Sequence, residues 1–160
     1  MSAPVLARFV GCLLALHAAG CADDAAPSGE ARVELGLGLE RFAPVDDGEP
    51  IELVLGSQGG WHVDLAARVY GVDETDDIIL SFRVYQGDGQ IAYPIKRRVD
   101  PERAPRSEDG ALEYPGARLV FAIMDPSEVV GEDCRPEVEL IVSPEVYRDD
   151  RALTVVDERP

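Results

Sequence analysis

Four aspartates are the side chains in this sequence whose type and spacing come nearest to a metal site. Asp73, Asp76 and Asp77 share one acidic stretch, and Asp88 follows in a later turn. Calcium takes about six to eight oxygen ligands, which loop carboxylates can supply. The spacing is not that of an EF-hand, and acidic loops are usually solvated without a metal. Calcium binding is therefore a hypothesis set against plain solvation, and no cofactor is predicted.

His62 is the histidine that any chemistry of the folded domain has to use, because His17 falls in the N-terminal segment described below. A zinc or copper site normally draws on several His or Cys ligands, and this chain offers few. A hydrolytic triad needs a histidine aligned with a nucleophile and an acid, and the sequence has no Gly-x-Ser-x-Gly elbow. We therefore predict a structural role, with Trp61 pointing into the core and His62 pointing outward.

Two tyrosines are candidates for sugar binding. Tyr70 lies near Arg68 and Tyr85 near Arg83, on the sides of their strands that are predicted to face outward. Such rings can form a shallow stacking platform, although surface packing between neighbouring strands is the favoured interpretation. A carboxylate pair of the glycosidase type also stays open, since 31 acidic residues always supply pairs. No catalytic residue is predicted.

Residues 1–20 have the zones of an export signal. One positive charge, Arg8, precedes an apolar run over 9–16, and small residues follow directly before Cys21. Such an order is typical of a signal peptide, and the run is too short to span a bilayer. The end of the segment resembles a bacterial lipobox, in which the cysteine is acylated and becomes the new N-terminus. We predict lipid attachment at Cys21, with cleavage nearby and an unmodified Cys21 as the alternative.

The rest of the chain divides into a tether and a domain. Residues 21–32 are small, polar and acidic, which predicts a flexible tether. Residues 33–160 suffice for one domain with its own core. The formal charge of −16 repels nucleic acid and anionic headgroups. The expected location is the cell envelope, at the outer membrane or a periplasmic face, and the expected partner is an envelope protein or a glycan.

Apolar and polar residues alternate along several short stretches of residues 33–160. These stretches are 33–39, 51–55, 61–69, 78–84, 90–99, 119–123, 138–142 and 153–155. About seven to nine short strands predict an all-β fold, a two-sheet antiparallel sandwich of the immunoglobulin-like or fibronectin-III-like kind. A jelly roll or small barrel is the second choice. Residues 100–115 are predicted to form an exposed loop, 145–151 a polar connection, and Cys134 a buried thiol.

The most distinctive stretch, residues 56–63, reads Gly-Ser-Gln-Gly-Gly-Trp-His-Val. It resembles a Gly-x-Gln-Gly-Gly-x-His stretch in a group of predicted lipoproteins from myxobacteria and related deltaproteobacteria. The resemblance extends over the preceding strands at 33–36 and 50–55. It implies an envelope location and a β-rich domain, and it implies no mechanism. From the residues alone, Gly59 and Gly60 suit a sharp bend or bulge before a strand.

The function expected from the sequence is that of a lipid-anchored binding or structural module, and not of an enzyme. A calcium-dependent or carbohydrate-binding module is the first alternative. A carboxylate-based hydrolase is the second.

Overall fold

The computed structural model describes residues 29–157, and this part of the chain consists largely of β-strands. The strands are β1 Arg32–Leu37, β2 Ala43–Pro44, β3 Pro50–Leu55, β4 Trp61–Tyr70, β5 Ile78–Gln86, β6 Gly89–Gln90, β7 Ile95–Val99, β8 Leu112–Val120, β9 Asp133–Val142, β10 Glu145–Asp150 and β11 Leu153–Asp157. A short 3₁₀ turn, Pro126–Glu128, precedes β9. The all-β prediction is confirmed.

Two strands, β4 and β9, organise the pairing. β4 pairs with β8 along one edge and with β1 and β3 along the other. β9 pairs with β5, β10 and β11, and β5 also pairs with β6 and β7. A parallel pair of β3 and β11 joins the two groups into one continuous, mixed path. The prediction was a purely antiparallel fold, whereas the observed pairing is mixed. The immunoglobulin-like or fibronectin-III-like topology stays a prediction.

The core collects the inward side chains of these strands. In β5 the residues predicted to face inward are completely buried: Ile78, Leu80, Phe82 and Val84. On the outward side Ile79 and Arg83 are half-buried, but Ser81 is buried as well. Val63 and Leu65 on the inward side of β4 are equally buried. Full burial of such a side chain contributes about 1.5–3 kcal/mol relative to exposure.

The turn after β1 covers the outward face of β4. The Gly38 N–H donates to the carbonyl of Asp64 on β4 over 3.1 Å, and the Gly38 carbonyl accepts from the Gly116 N–H on β8 over 2.9 Å. Since β1 and β8 lie on opposite edges of β4, the turn crosses β4, and the outward Ala66 is completely buried. Gly116 has φ +75°, and a Cβ there would lie 2.8 Å from the Leu39 carbonyl oxygen. Glycine is thus required for this close approach.

Three predicted segments have different boundaries in the structure. β8 begins at Leu112, inside the predicted loop 100–115. The predicted strand 90–99 is broken before Ile95, next to Pro94, which has no backbone N–H to donate. The predicted connection 145–151 is mostly β10, which pairs with β9 along its whole length. The one inward apolar side chain of β10 is the half-buried Tyr147, and its other residues are mostly charged, so the sequence lacks the hydrophobic alternation that marks a half-buried strand.

Candidate functional site

The glycine-rich segment 56–60 forms the turn between β3 and β4. The Gly56 N–H donates to the Gly60 carbonyl over 2.9 Å, and the Gly59 N–H donates to the Gly56 carbonyl over 3.0 Å. Gly59 has φ +75° and Gly60 has φ +125°, angles that other residues rarely adopt. The predicted bend before the strand is therefore confirmed.

Trp61 and His62 follow this turn and are both buried. Trp61 is 8% exposed and faces the core as predicted. His62 is only 3% exposed, so the prediction that it faces solvent is wrong. Its side chain does lie on the outer side of β4, but the turn covers it there, since a Cβ on Gly56 would lie 3.5 Å from Nδ1. Val54 and Val120 are its neighbours on the adjacent strands.

The other end of the imidazole faces an ion pair. Nε2 of His62 lies 3.8 Å from Oδ2 of Asp64, which is beyond hydrogen-bond distance. Arg118 on β8 donates two hydrogen bonds to Asp64, Nε to Oδ1 over 2.9 Å and Nη2 to Oδ2 over 3.0 Å. Nε2 is buried and has no hydrogen-bond partner within residues 29–157. A buried polar atom without a hydrogen bond lowers the free energy of unfolding by about 1–3 kcal/mol.

The surroundings keep His62 neutral at pH 7. Burial lowers the pKa of His62, and the charge of Arg118 lowers it further. Asp64 and a hydrogen bond with the Gly60 backbone raise the pKa, but they compensate only in part. The hydrogen bonds with Asp64 in turn raise the pKa of Arg118, so this guanidinium stays charged.

A groove of about 360 Å³ opens beside Asp64, between the end of β1 and β3. Leu39 and Val54 supply apolar walls, and Glu52 and Asp64 supply carboxylates. Four exposed apolar side chains lie on this side of the molecule. Val120 and Val156 are placed there by the pairing of their strands. Tyr93 is placed there by its backbone bond with Val120, and Leu39 by its position in the groove wall. We call the outer face of β8, β4, β3 and β11, with the groove, the His62 face. Concentrations of exposed apolar residues mark interaction surfaces.

The four aspartates considered for calcium do not form a common site. Asp77 accepts two hydrogen bonds from Arg98, over 2.6 and 2.5 Å, and Asp76 accepts one from the Asp73 N–H over 2.7 Å. In the part of the chain that the structure describes, no group of three or more His, Cys, Asp or Glu side chains, Asp88 included, is placed to hold a metal ion. The calcium hypothesis gains no support from this geometry.

The two tyrosines considered for sugar stacking lie in different strand groups, on β4 and β5, and arginines occupy one face of each ring. The guanidinium carbon of Arg32 is 3.6 Å from the ring centroid of Tyr70, and that of Arg135 is 4.8 Å from the centroid of Tyr85. The Tyr70 hydroxyl also donates to Glu34 over 3.0 Å. These cation–π contacts favour the surface-packing interpretation.

A buried carboxylate, Glu139 on β9, is held by two arginines. Arg83 and Arg148 each approach it to 2.7 Å, and its side chain is 10% exposed. Burial alone would raise the pKa of Glu139, but the hydrogen bonds and charges of Arg83 and Arg148 outweigh it, so the pKa lies below its usual value. A general acid needs a pKa near the working pH, so this arrangement suits a structural role.

Cys134 is the cysteine of the folded domain. Its side chain is buried, and burial raises the pKa of the thiol to about 12. A thiol with such a pKa is inert at neutral pH, since the thiolate is the reactive form. The predicted burial of Cys134 is confirmed.

Cys21, the signal segment and residues 21–28 of the tether lie outside the described residues. Within 29–157, no helix is long and apolar enough to cross a membrane. No protein-family model matches the chain, and no curated protein matches it significantly.

The ion pair beside His62 was not predicted from the sequence. Alternation alone places Asp64 on the outer side of β4, like His62. Arg118 reaches it because β8 pairs with β4 in the register that sets Arg118 opposite Asp64. β5 to β7 separate β4 from β8 in the chain, and a bulge shifts the register between Leu65 and Ala67, so alternation within either strand does not give this pairing.

Proposed function

We propose that this chain is a lipid-anchored protein of the cell envelope whose β-rich domain binds a partner and does not catalyse a reaction. The segment that ends at Cys21 carries the proposal, because a charge, an apolar run and small residues precede the cysteine in the order of an export signal. Acyl chains on Cys21 would each contribute about 0.8 kcal/mol per buried methylene, and two or more give durable attachment.

The His62 face supports the binding part of the proposal. Leu39, Tyr93, Val120 and Val156 leave apolar surface in water there, and covering such surface stabilises a complex by about 25 cal/mol per Å². The face also carries the carboxylates of the groove, which can fix the orientation of a partner. With a formal charge of −16, an envelope protein or a glycan is a better partner than nucleic acid.

Fractionation of cells that express the full chain tests the anchor. We expect the wild type in the membrane fraction, and Cys21→Ser either in the soluble fraction or as the unprocessed precursor. Cys12→Ser is the matched control, because it changes a cysteine within the apolar run and leaves the attachment site intact. A processed wild type that stays soluble contradicts the proposal, as does a processed Cys21→Ser protein that stays on the membrane.

A further inference from the structure

The two ring nitrogens of His62 lie in different surroundings. The Nδ1 end lies against the turn 56–60, since a Cβ on Gly56 would lie 3.5 Å from it. The Nε2 end is buried, unpartnered within residues 29–157, and 3.8 Å from Oδ2 of Asp64. A proton on Nε2 would convert an acceptor into a charged donor. A movement of roughly 1 Å would then give a charge-assisted hydrogen bond.

Few charged groups act on this nitrogen. On β4 the neighbouring charge is Asp64, and on β8 it is Arg118; these are the groups whose charges affect the imidazole. Glu52 on β3 and Tyr93 beside β8 are further titratable groups on the His62 face, and Arg68 and Glu113 follow beyond Ala66 on β4 and β8. The turn that covers Nδ1 contributes Ser57 and Gln58, and neither of them titrates.

The two possible partners of Asp64 differ in their access to water. The side chain of His62 is 4% exposed, that of Asp64 is 14% exposed, and that of Arg118 is 48% exposed. A buried imidazolium cannot regain its hydration without opening the fold, so it needs the carboxylate. Arg118 can turn into solvent at little cost, because an exposed ion pair contributes little to stability. Repulsion between protonated His62 and Arg118 also favours the release of Arg118 from Asp64.

We propose that His62 is a proton-sensing residue: when Nε2 takes up a proton from solvent, it donates to Asp64, and Asp64 exchanges its ion pair with Arg118 for one with His62. The exchange takes place below pH 6.5, the ordinary pKa of histidine, because the surroundings of His62 disfavour its charged form. It frees a guanidinium next to Val120 and Tyr93 and makes the His62 face more positive. A partner bound to this face would then bind differently at acid pH, and only this consequence rests on the proposed binding function.

Nuclear magnetic resonance can follow both partners of Asp64 in one sample. The sequence has two histidines, so His17→Asn in the full chain leaves His62 as the single imidazole. Its ring signals report its protonation between pH 7.5 and 4.5, and hydrogen exchange at Nε of Arg118 reports the ion pair. Arg68 provides an internal reference, since its Nε donates to Glu113 over 2.9 Å, also between β4 and β8. We expect hydrogen exchange at Nε of Arg118 to become about tenfold faster relative to that of Arg68. The pH midpoint of this change should equal the midpoint of the His62 titration.

His62→Gln separates the histidine from protonation of Asp64 itself. In this variant the exchange at Arg118 should stay constant relative to Arg68 over the pH range in which His62 titrates in the wild type. The proposal is overturned if Arg118 stays protected while His62 titrates, or if Arg118 is released at the same midpoint in His62→Gln. It is also overturned if His62 takes up its proton only when the amide signals of the fold disappear. None of these outcomes depends on the lipid at Cys21, so the proposed function is tested separately.

Discussion

His62 and Asp64 face each other across 3.8 Å, a buried ring nitrogen without a partner against a carboxylate that Arg118 already holds. Buried polar atoms in native proteins nearly always have a partner, so this pair is an exception that calls for a cause. The cause is local: the turn 56–60 and the crossing turn at Gly38 close the outer side of β4 around the two residues. The proton-sensing role that we propose for His62 follows from this arrangement.

The first prediction concerns stability against pH. In the folded protein the pKa of His62 lies below its ordinary value of 6.5, so the unfolded chain binds more protons once the pH drops below that value. The contribution of neutral His62 to stability is thus complete above pH 6.5 and is lost as the pH falls toward and through the folded pKa. Urea melts at pH 7.5 and 5.5 should show a larger loss of unfolding free energy for the wild type than for His62→Gln. Equal losses in the two proteins would argue against the buried, neutral histidine.

The second prediction concerns the core beside the glycine turn. Trp61 is 8% exposed, and Trp61→Ala should lower the unfolding free energy by about 3–5 kcal/mol because it removes a large buried ring. Leu55, its cross-strand partner, is 52% exposed, and Leu55→Ala should cost less than about 1 kcal/mol. Urea melts of both variants at pH 7.5 make the comparison. Similar losses for both would mean that Trp61 does not fill the core.

The third prediction contrasts a buried and an exposed ion pair. Glu139→Gln weakens the contacts that Arg83 and Arg148 make with a buried carboxylate, and we expect a loss of about 1–3 kcal/mol. Asp77→Asn removes the charge of an exposed carboxylate that binds Arg98, and the unfolding midpoint should not change measurably. Thermal melts at pH 7 compare the two substitutions. If Asp77→Asn proves the more damaging, the acidic loop has a role beyond its solvated ion pair.

Local patterns predicted the strands that are buried on one face. β5 is the clearest case, since Ile78 and Phe82 are completely buried, and Ile79 and Arg83, which follow them in the chain, lie on the outer side and are half-buried. The same reasoning misplaced His62, because alternation gives the side of the sheet on which a residue lies and not what covers that side. His62 is covered by the glycine-rich turn 56–60, since a Cβ on Gly56 would lie 3.5 Å from Nδ1, and alternation within β4 does not show that this turn folds back over the strand.

Polar strands were missed for a related reason. Residues 145–150 are mostly charged and place only Tyr147 against the core, so no hydrophobic period marks them, and they form a strand because β9 offers an edge for pairing. The parallel pairing of β3 with β11, which aligns Ile51 with Val155, also joins segments that are far apart in the chain. The tertiary structure decides which strands pair in such cases, and the residues of each strand do not specify its partner.

Mass spectrometry of the N-terminal peptide, on protein purified from membranes of a bacterial host, tests the proposed anchor most directly. Trypsin cleaves after Arg32, and no Lys or Arg lies between Cys21 and that residue. We predict a peptide 21–32 that begins at Cys21 and carries the additional mass of acyl chains. An unmodified Cys21 in the mature protein, or a mature N-terminus at any other residue, would contradict lipid attachment and with it the proposed place of the domain at the cell envelope.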